Sequence, residues 1–150
     1  MFTLSKNNLF ALLLLTFTAV IHSEACALVT EITTPKQLDA LVKSDHPAVI
    51  KLYANWCPPC RHLATYYDKI AKECPDVDFY SLNVDNKELM KKLELLKLLT
   101  MPKEGLSIPT SIFFQKNKVL TQGAGAPSQA IFVYNVKRIF NIDQDQTDNE

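Results

Sequence analysis

Glycine is scarce in this chain: Gly105, Gly123 and Gly125 are the three in 150 residues. They form no glycine-rich loop of the kind that cradles phosphates, which argues against nucleotide chemistry built on one. Excess charge of one sign is missing too. Lys plus Arg equals Asp plus Glu, 16 against 16, so the balance supplies no basic stripe for nucleic acid and no polybasic patch for a membrane surface. The three histidines, His22, His46 and His62, make no H-x-x-x-H pair, and there is no second C-x-x-C, so a zinc site lacks its ligands. No apolar run reaches the about 20 residues of a transmembrane helix. Internal repeats are absent.

What is there begins with a leader. Lys6 lies in a short polar start, Leu9–Ile21 is mostly apolar, and His22-Ser23-Glu24-Ala25-Cys26-Ala27 offers small residues for cleavage after Ala25 or Ala27. This pattern describes a secretory signal peptide over 1–25, and an exported protein in a periplasm or similar compartment. An uncleaved anchor is the competing reading. A lipoprotein anchored through Cys26 is another, although Ser23 stands where such signals place an aliphatic residue. The remainder divides into one domain over 26–141 and a polar, acidic tail over 142–150, and a domain of that size holds one core. Four cysteines in an exported chain suit an oxidising compartment.

Residue patterning predicts alternating elements. Ala27–Thr33 reads as a strand, followed by a short helix capped by Thr34 with Pro35 at its first position. Ala48–Ala54 is a second strand. A helix follows to Glu73, with Leu63, Tyr66, Tyr67 and Ile70 at spacings of three and four. Val77–Val84 is a third strand, and Asp85-Asn86 opens a helix expected to end near Pro102. Ile108–Phe114 and Val119–Thr121, joined by Lys116-Asn117, read as a hairpin, and Pro127-Ser128 begins a last helix. The fold class is α/β: a parallel βαβαβ unit plus an antiparallel ββα unit, with helices on both faces of a mixed sheet.

The chemistry concentrates in Trp56-Cys57-Pro58-Pro59-Cys60. Two cysteines two residues apart, where a strand feeds a helix N-terminus, sit where orphan N–H groups and the helix dipole favour a thiolate. With Cys57 as N-cap, prolines at the first two helical positions cost little. They also remove two donors that would solvate a Cys57 thiolate, leaving the Cys60 N–H. The expected couple is therefore more reducing than one whose thiolate is strongly stabilised. Half a zinc site and a plain structural bridge are the blander readings. The first lacks ligands, and the second needs neither Trp56 nor the strand-to-helix placement. Cys57 is expected to attack and Cys60 to resolve the mixed disulfide.

Tyr53-Ala54-Asn55-Trp56-Cys57-Pro58-Pro59-Cys60, Ser81-Leu82-Asn83-Val84-Asp85, Ile108-Pro109-Thr110 and Gly125-Ala126 together resemble the thioredoxin family, in the family's order, over roughly Leu28 to Phe140. The resemblance implies a thioredoxin fold and a thiol:disulfide oxidoreductase with no cofactor beyond its own Cys57–Cys60 disulfide. It implies a cis bond before Pro109, and substrate contacts at Trp56, Pro58, Pro59, Ile108 and Pro109. Partners would be proteins with cysteine thiols or disulfides and, outside the cytosol, a membrane electron donor. The protein would act as a monomer, without nucleic acid, metal or membrane insertion once the signal is removed. A disulfide oxidase or isomerase, or a non-catalytic binding module, uses the same fold.

Four departures from the family stand out. Lys51 occupies the place of its buried acid, and Ser81 that of the matching lysine. Lys51 could tune the dithiol as a neutral base or as a cation, or its stem could pack while its amine reaches water. Thr65 replaces a mid-helix proline. The stretch Leu95–Gly105 is longer than usual, adding Leu98, Leu99 and Met101 either to the core or to a partner-binding rim. Cys26 and Cys74, each just before one of two strands expected to be adjacent and parallel, form a possible structural disulfide.

Overall fold

The computed structural model describes residues 29–142. The expected signal peptide, Cys26 and most of the polar tail lie outside the described residues. Nine elements follow in order: β1 Thr30–Glu31, α1 Pro35–Lys43, β2 Ala48–Tyr53, α2 Pro58–Glu73, β3 Asp78–Asn83, α3 Lys87–Leu95, β4 Thr110–Gln115, β5 Lys118–Ala124 and α4 Gln129–Phe140. The strands form one sheet in the order β1-β3-β2-β4-β5. β1 and β2 run parallel to β3, and β4 runs antiparallel to β2 and β5. This is the expected mixed sheet of the thioredoxin fold.

Period-two alternation divides the core into two layers. Ile50, Leu52, Leu82, Ile112 and Phe114 face one way and meet Leu38, Leu41, Leu89 and Leu93 of α1 and α3. Val49, Phe79 and Phe113 face the other way and meet Leu63, Tyr67 and Ile70 of α2 and Phe132 and Val136 of α4. β2, central in the sheet, is buried along Ala48–Leu52.

Local chemistry sets the element ends. The Thr34 N–H donates to Gln37 Oε1 at 2.9 Å, fixing the start of α1. Asn86 caps α3 by accepting from the Leu89 N–H at 3.1 Å. Lys116 and Asn117 both take positive φ, 50° and 60°, as a tight hairpin turn between β4 and β5 requires.

Three boundaries differ from the sequence expectation. β1 has two residues, because its pairing with β3 covers Thr30 and Glu31 alone. β5 runs to Ala124, well past Thr121, since it pairs along the whole of β4 around a register irregularity at Phe113/Phe114. Most consequential, α3 stops at Leu95 instead of continuing toward Pro102. Lys97 turns left-handed at φ 56°, the Leu98 N–H donates to the Leu93 carbonyl at 2.9 Å, and the Lys97 N–H donates to the Glu94 carbonyl at 3.0 Å. These are the two bonds of a Schellman stop. It folds Leu98 back beside Leu93 in the core, which the leucine spacing alone does not reveal.

Candidate active site

The C-terminal end of β2 delivers Ala54 and then the turn into α2. Cys57 is the N-cap, Pro58 and Pro59 are the first two helical residues, and the Cys60 N–H approaches Cys57 Sγ at 3.2 Å. Cys57 and Cys60 are joined as a disulfide, with Cα atoms 5.3 Å apart. Both are nearly covered, at 3% and 2% exposure. The attacking and resolving cysteines thus differ little in fractional exposure, and what lies over the pair matters more.

Three loops surround it. Trp56 is 65% exposed, and its indole N–H points at both carboxylate oxygens of Asp85, each at 3.2 Å. The Ile108–Pro109 bond is cis, and the Ile108 carbonyl oxygen lies 3.6 Å from Cys57 Sγ. Thr110 Oγ1 donates to the Ser107 carbonyl at 2.5 Å, bracing that loop. The Gly125 N–H donates to the Pro109 carbonyl at 2.8 Å. Gly125 has φ 109°, a conformation open to glycine and costly for any side chain. Tyr66 of α2 ties the same corner down by donating to the Pro127 carbonyl at 2.6 Å. Pro58 and Pro59 are exposed and Pro109 is buried.

Beside Trp56 and Ile108 a groove of about 410 Å³ runs past Met90 to Met101 and Leu106. The extra stretch after α3 divides between core and surface. Leu98 and Leu99 are in the core, while Met101 is 47% exposed on the groove wall. Its position is fixed by Gln122 of β5, which accepts from the Thr100 N–H at 3.0 Å and donates to the Thr100 carbonyl at 2.7 Å.

Tyr53, which packs against the Cys57–Cys60 cluster, leads to an unusual set of polar groups. Lys51 is 6% exposed. Its Nζ stands 4.2 Å from the centroid of the Tyr67 ring and 5.6 Å from that of Tyr53. Ring faces attract a desolvated ammonium by about 2 kcal/mol. Burial pushes the Lys51 amine below its ordinary pKa, while Asp68 and Glu31 pull it back up. Glu31, on β1, accepts hydrogen bonds from the Tyr53 hydroxyl at 3.1 Å and from the Ser81 hydroxyl. Burial first, then the Glu31 charge and hydrogen bond, raise the Tyr53 phenol. Tyr67 is fully buried and its phenol is raised well above the ordinary value by desolvation. Its hydroxyl reaches the Tyr80 carbonyl at 3.2 Å. Among the described residues no cluster of three or more His, Cys, Asp or Glu forms a metal site.

With that geometry in place, comparison with known proteins is decisive. A family model described as Thioredoxin matches residues 29–138. The chain belongs to the thioredoxin family. Thioredoxin-1 of Saccharomyces cerevisiae is 30% identical over 104 residues, covering 69% of this chain and 92% of that protein. The thioredoxin of Mycoplasmoides gallisepticum is 33% identical over 95 residues, covering 63% and 85%. Among solved structures, Trypanosoma brucei brucei thioredoxin superposes with a TM-score of 0.64 at 24% identity, covering 79% of this chain and 96% of that one. The long form of spinach chloroplast thioredoxin f gives 0.60 at 27% identity, covering 77% and 88%. The protein is a thiol-disulfide oxidoreductase, and members of its family act on protein disulfides.

As a thioredoxin it brings Trp56, Cys57, Ile108 and Pro109 together, with Pro58 and Pro59 on the open side of the helix start. Lys51 is buried on β2, its stem packed in the sheet and its amine over the Tyr67 ring. His62 is exposed and meets Tyr66 edge-on, ring centroids 5.4 Å apart. Cys74 is buried at the C-cap of α2; its pairing with Cys26 lies outside the described residues. Sequence reasoning did not single out Glu31, Tyr53 as a hydrogen-bonding group, or Ser111. Glu31 is identifiable only once the β1–β3 register is known, because it shares a row with Lys51 across an intervening strand.

Proposed function

We propose that this thioredoxin is exported and reduces disulfides in exported proteins, receiving its electrons from a membrane dithiol donor. The observation that carries the reducing direction is the Cys57 environment. Two prolines take the first helical positions, so the Cys60 N–H alone reaches Sγ from that turn. A sparsely solvated thiolate makes a weakly stabilised reduced form and hence a reducing couple. Export rests on the leader over 1–25, cleaved after Ala25 or Ala27, with lipid attachment at Cys26 as a variant of the same localisation. The protein would work as a monomer, with no cofactor other than its own dithiol.

In the reductive half-cycle the Cys57 thiolate attacks one sulfur of the substrate disulfide. The Cys57–substrate bond forms, the substrate S–S bond breaks, and the departing sulfur takes a proton. Cys60 then gives up its proton and attacks Cys57 Sγ, releasing the second substrate thiol and closing the Cys57–Cys60 disulfide. Two electrons pass to the substrate, and the donor dithiol returns them. Trp56, Pro58, Pro59, Ile108 and Pro109 form the docking surface, and Lys51 tunes the sulfurs.

Insulin reduction with a dithiol regenerant, together with the redox potential, tests this reading. The expected result is turnover, abolished in Cys57→Ser, with a potential near those of cytosolic thioredoxins. A potential near that of a strong oxidant would reassign the protein as a disulfide oxidase or isomerase. Function retained in Cys57→Ser would make it a binding module. In cells, Cys60→Ala is expected to accumulate mixed disulfides through Cys57, and the trapped proteins identify the substrates.

A further inference from the structure

The polar groups around Lys51 are not scattered. Glu31 is in register with Ser81, Ser81 with Lys51, and Lys51 with Ser111. Register partners share a face, so the four form a row across β1, β3, β2 and β4 on the side packed against α2 and α4. Lys51, Ser81 and Ser111 are buried, at 6%, 7% and 4% exposure, on the side of the sheet where Val49, Phe79 and Phe113 build an apolar layer with α2 and α4.

The row has a direction. At one end the Glu31 carboxylate is held by two hydroxyls, one from Ser81 inside the row and one from Tyr53. Tyr53 also turns its ring toward the Lys51 amine and packs beside the cluster of Ala54, Cys57 and Cys60. In the middle, Lys51 lies over Tyr67, which is two helical turns beyond Cys60 on the same face of α2. At the other end the Ser111 hydroxyl is buried with no hydrogen-bond partner among the described residues. It lines a cavity of about 130 Å³ with Gly123 and Asn135, room enough for water to reach the amine's side of the sheet.

We infer that Glu31 is a positioning residue for the dithiol: held by Ser81 and Tyr53, it supplies the buried share of the countercharge to the Lys51 ammonium, in a row whose Tyr53 packs against the Cys57–Cys60 cluster. An ammonium stripped of water keeps its proton only where negative charge or fixed dipoles compensate. The titratable groups around the amine are Glu31 from β1, Tyr53 from its own strand, and Tyr67 and Asp68 from α2; β3 and β4 bring only serines. Asp68, on the exposed side of α2, is the larger of the two countercharges and Glu31 the smaller, but Asp68 is open to screening by solvent and salt, whereas Glu31 is half-buried and held by two hydroxyls. The charged pair behind the dithiol therefore reaches over β3, from β1 to β2, with a serine between.

The inference deepens the redox reading and rests on it. It makes a prediction of unusual sign. Acting alone, a carboxylate near a thiolate disfavours it, so removing Glu31 should favour the thiolate. Acting through Lys51, removing Glu31 weakens the ammonium and disfavours the thiolate. The test is the pH midpoint of iodoacetamide alkylation at Cys57 in the reduced full-length protein. It is measured for wild type, Glu31→Gln, Lys51→Met and the double variant. The expected result is a midpoint raised by about 0.5 unit or more in Glu31→Gln, and no rise when the same change is made in Lys51→Met. Tyr53→Phe, which keeps the ring and removes one tether, should raise the midpoint by less. An equal rise in both backgrounds, or no rise from Glu31→Gln in either, overturns the inference. Gln is isosteric with Glu, and a urea midpoint for each variant shows that the fold is retained. Insulin reduction by the wild type separates the two readings. No turnover there sinks the redox function whatever the titrations give, whereas turnover with an unshifted Glu31→Gln midpoint sinks only the role of Glu31.

Discussion

Lys51 decides more at the residue scale than either cysteine's neighbours in sequence. Lys51, a residue at 6% exposure, carries a desolvation cost that two carboxylates offset only in part, since its pKa remains below the ordinary value. The sign follows by linkage. The folded protein holds that proton less tightly than the unfolded chain. The cost is therefore fully present below the lowered folded pKa, and it disappears as pH rises toward lysine's ordinary 10.5. Lys51→Met, which keeps the length and removes the charge, is expected to stabilise the fold by about 1–2 kcal/mol at neutral pH. The advantage should shrink between neutral and strongly alkaline pH. Urea unfolding of both proteins across that range checks it. Comparing the two cancels the tyrosines whose phenols are raised by burial. A Met variant less stable at pH 7 would mean that the cation–π contacts and Glu31 outweigh desolvation.

At the scale of elements, the stretch between α3 and β4 carries the chain's individuality. Its two anchors differ in kind. Leu98 and Leu99 bury apolar surface, while Gln122 spends both ends of its amide on the backbone of Thr100. Gln122→Ala leaves those two backbone groups to water, because Thr100 is exposed. The global cost should then be small, about 1 kcal/mol. The local cost should be larger: faster amide exchange at Thr100 and earlier protease nicking around Met101, with the dithiol's alkylation rate unaltered. A protected Thr100 in the variant would show that the leucines alone hold the wall.

Most of this architecture was legible in the sequence, because βα alternation, the Thr34 and Asn86 caps and the Lys116-Asn117 turn are local signals. The placement of Cys57 as N-cap was legible for the same reason, through the prolines behind it. The end of α3 was not, since leucine spacing continues through Leu98 and Leu99 while Lys97, with no glycine to mark it, makes the stop. The Glu31–Ser81–Lys51–Ser111 row was hidden for a different reason. It is assembled by register across four strands, and nothing in a single strand announces which residue will lie beside it.

For the whole molecule, folding and redox state are linked by one cycle. Whatever stabilises the folded disulfide relative to the folded dithiol also makes the protein a better reductant. A disulfide closing so short a loop removes chain entropy worth about 2 kcal/mol from the unfolded ensemble. In strongly oxidising members of this chemistry that gain is overturned by stabilisation of the folded thiolate. Here the compensating terms are few: one N–H at the helix start, the helix dipole, and a lysine whose own charge is costly. The oxidised protein is therefore expected to be more stable than the reduced one, by about 1–2 kcal/mol at neutral pH. Parallel urea titrations with and without excess dithiothreitol measure the difference directly. Lys51→Met should widen it: relief from desolvation is common to both forms, while the attraction between cation and thiolate is lost from the reduced form alone. A reduced form more stable than the oxidised form would place the protein among disulfide donors, and the proposed direction of electron flow would reverse.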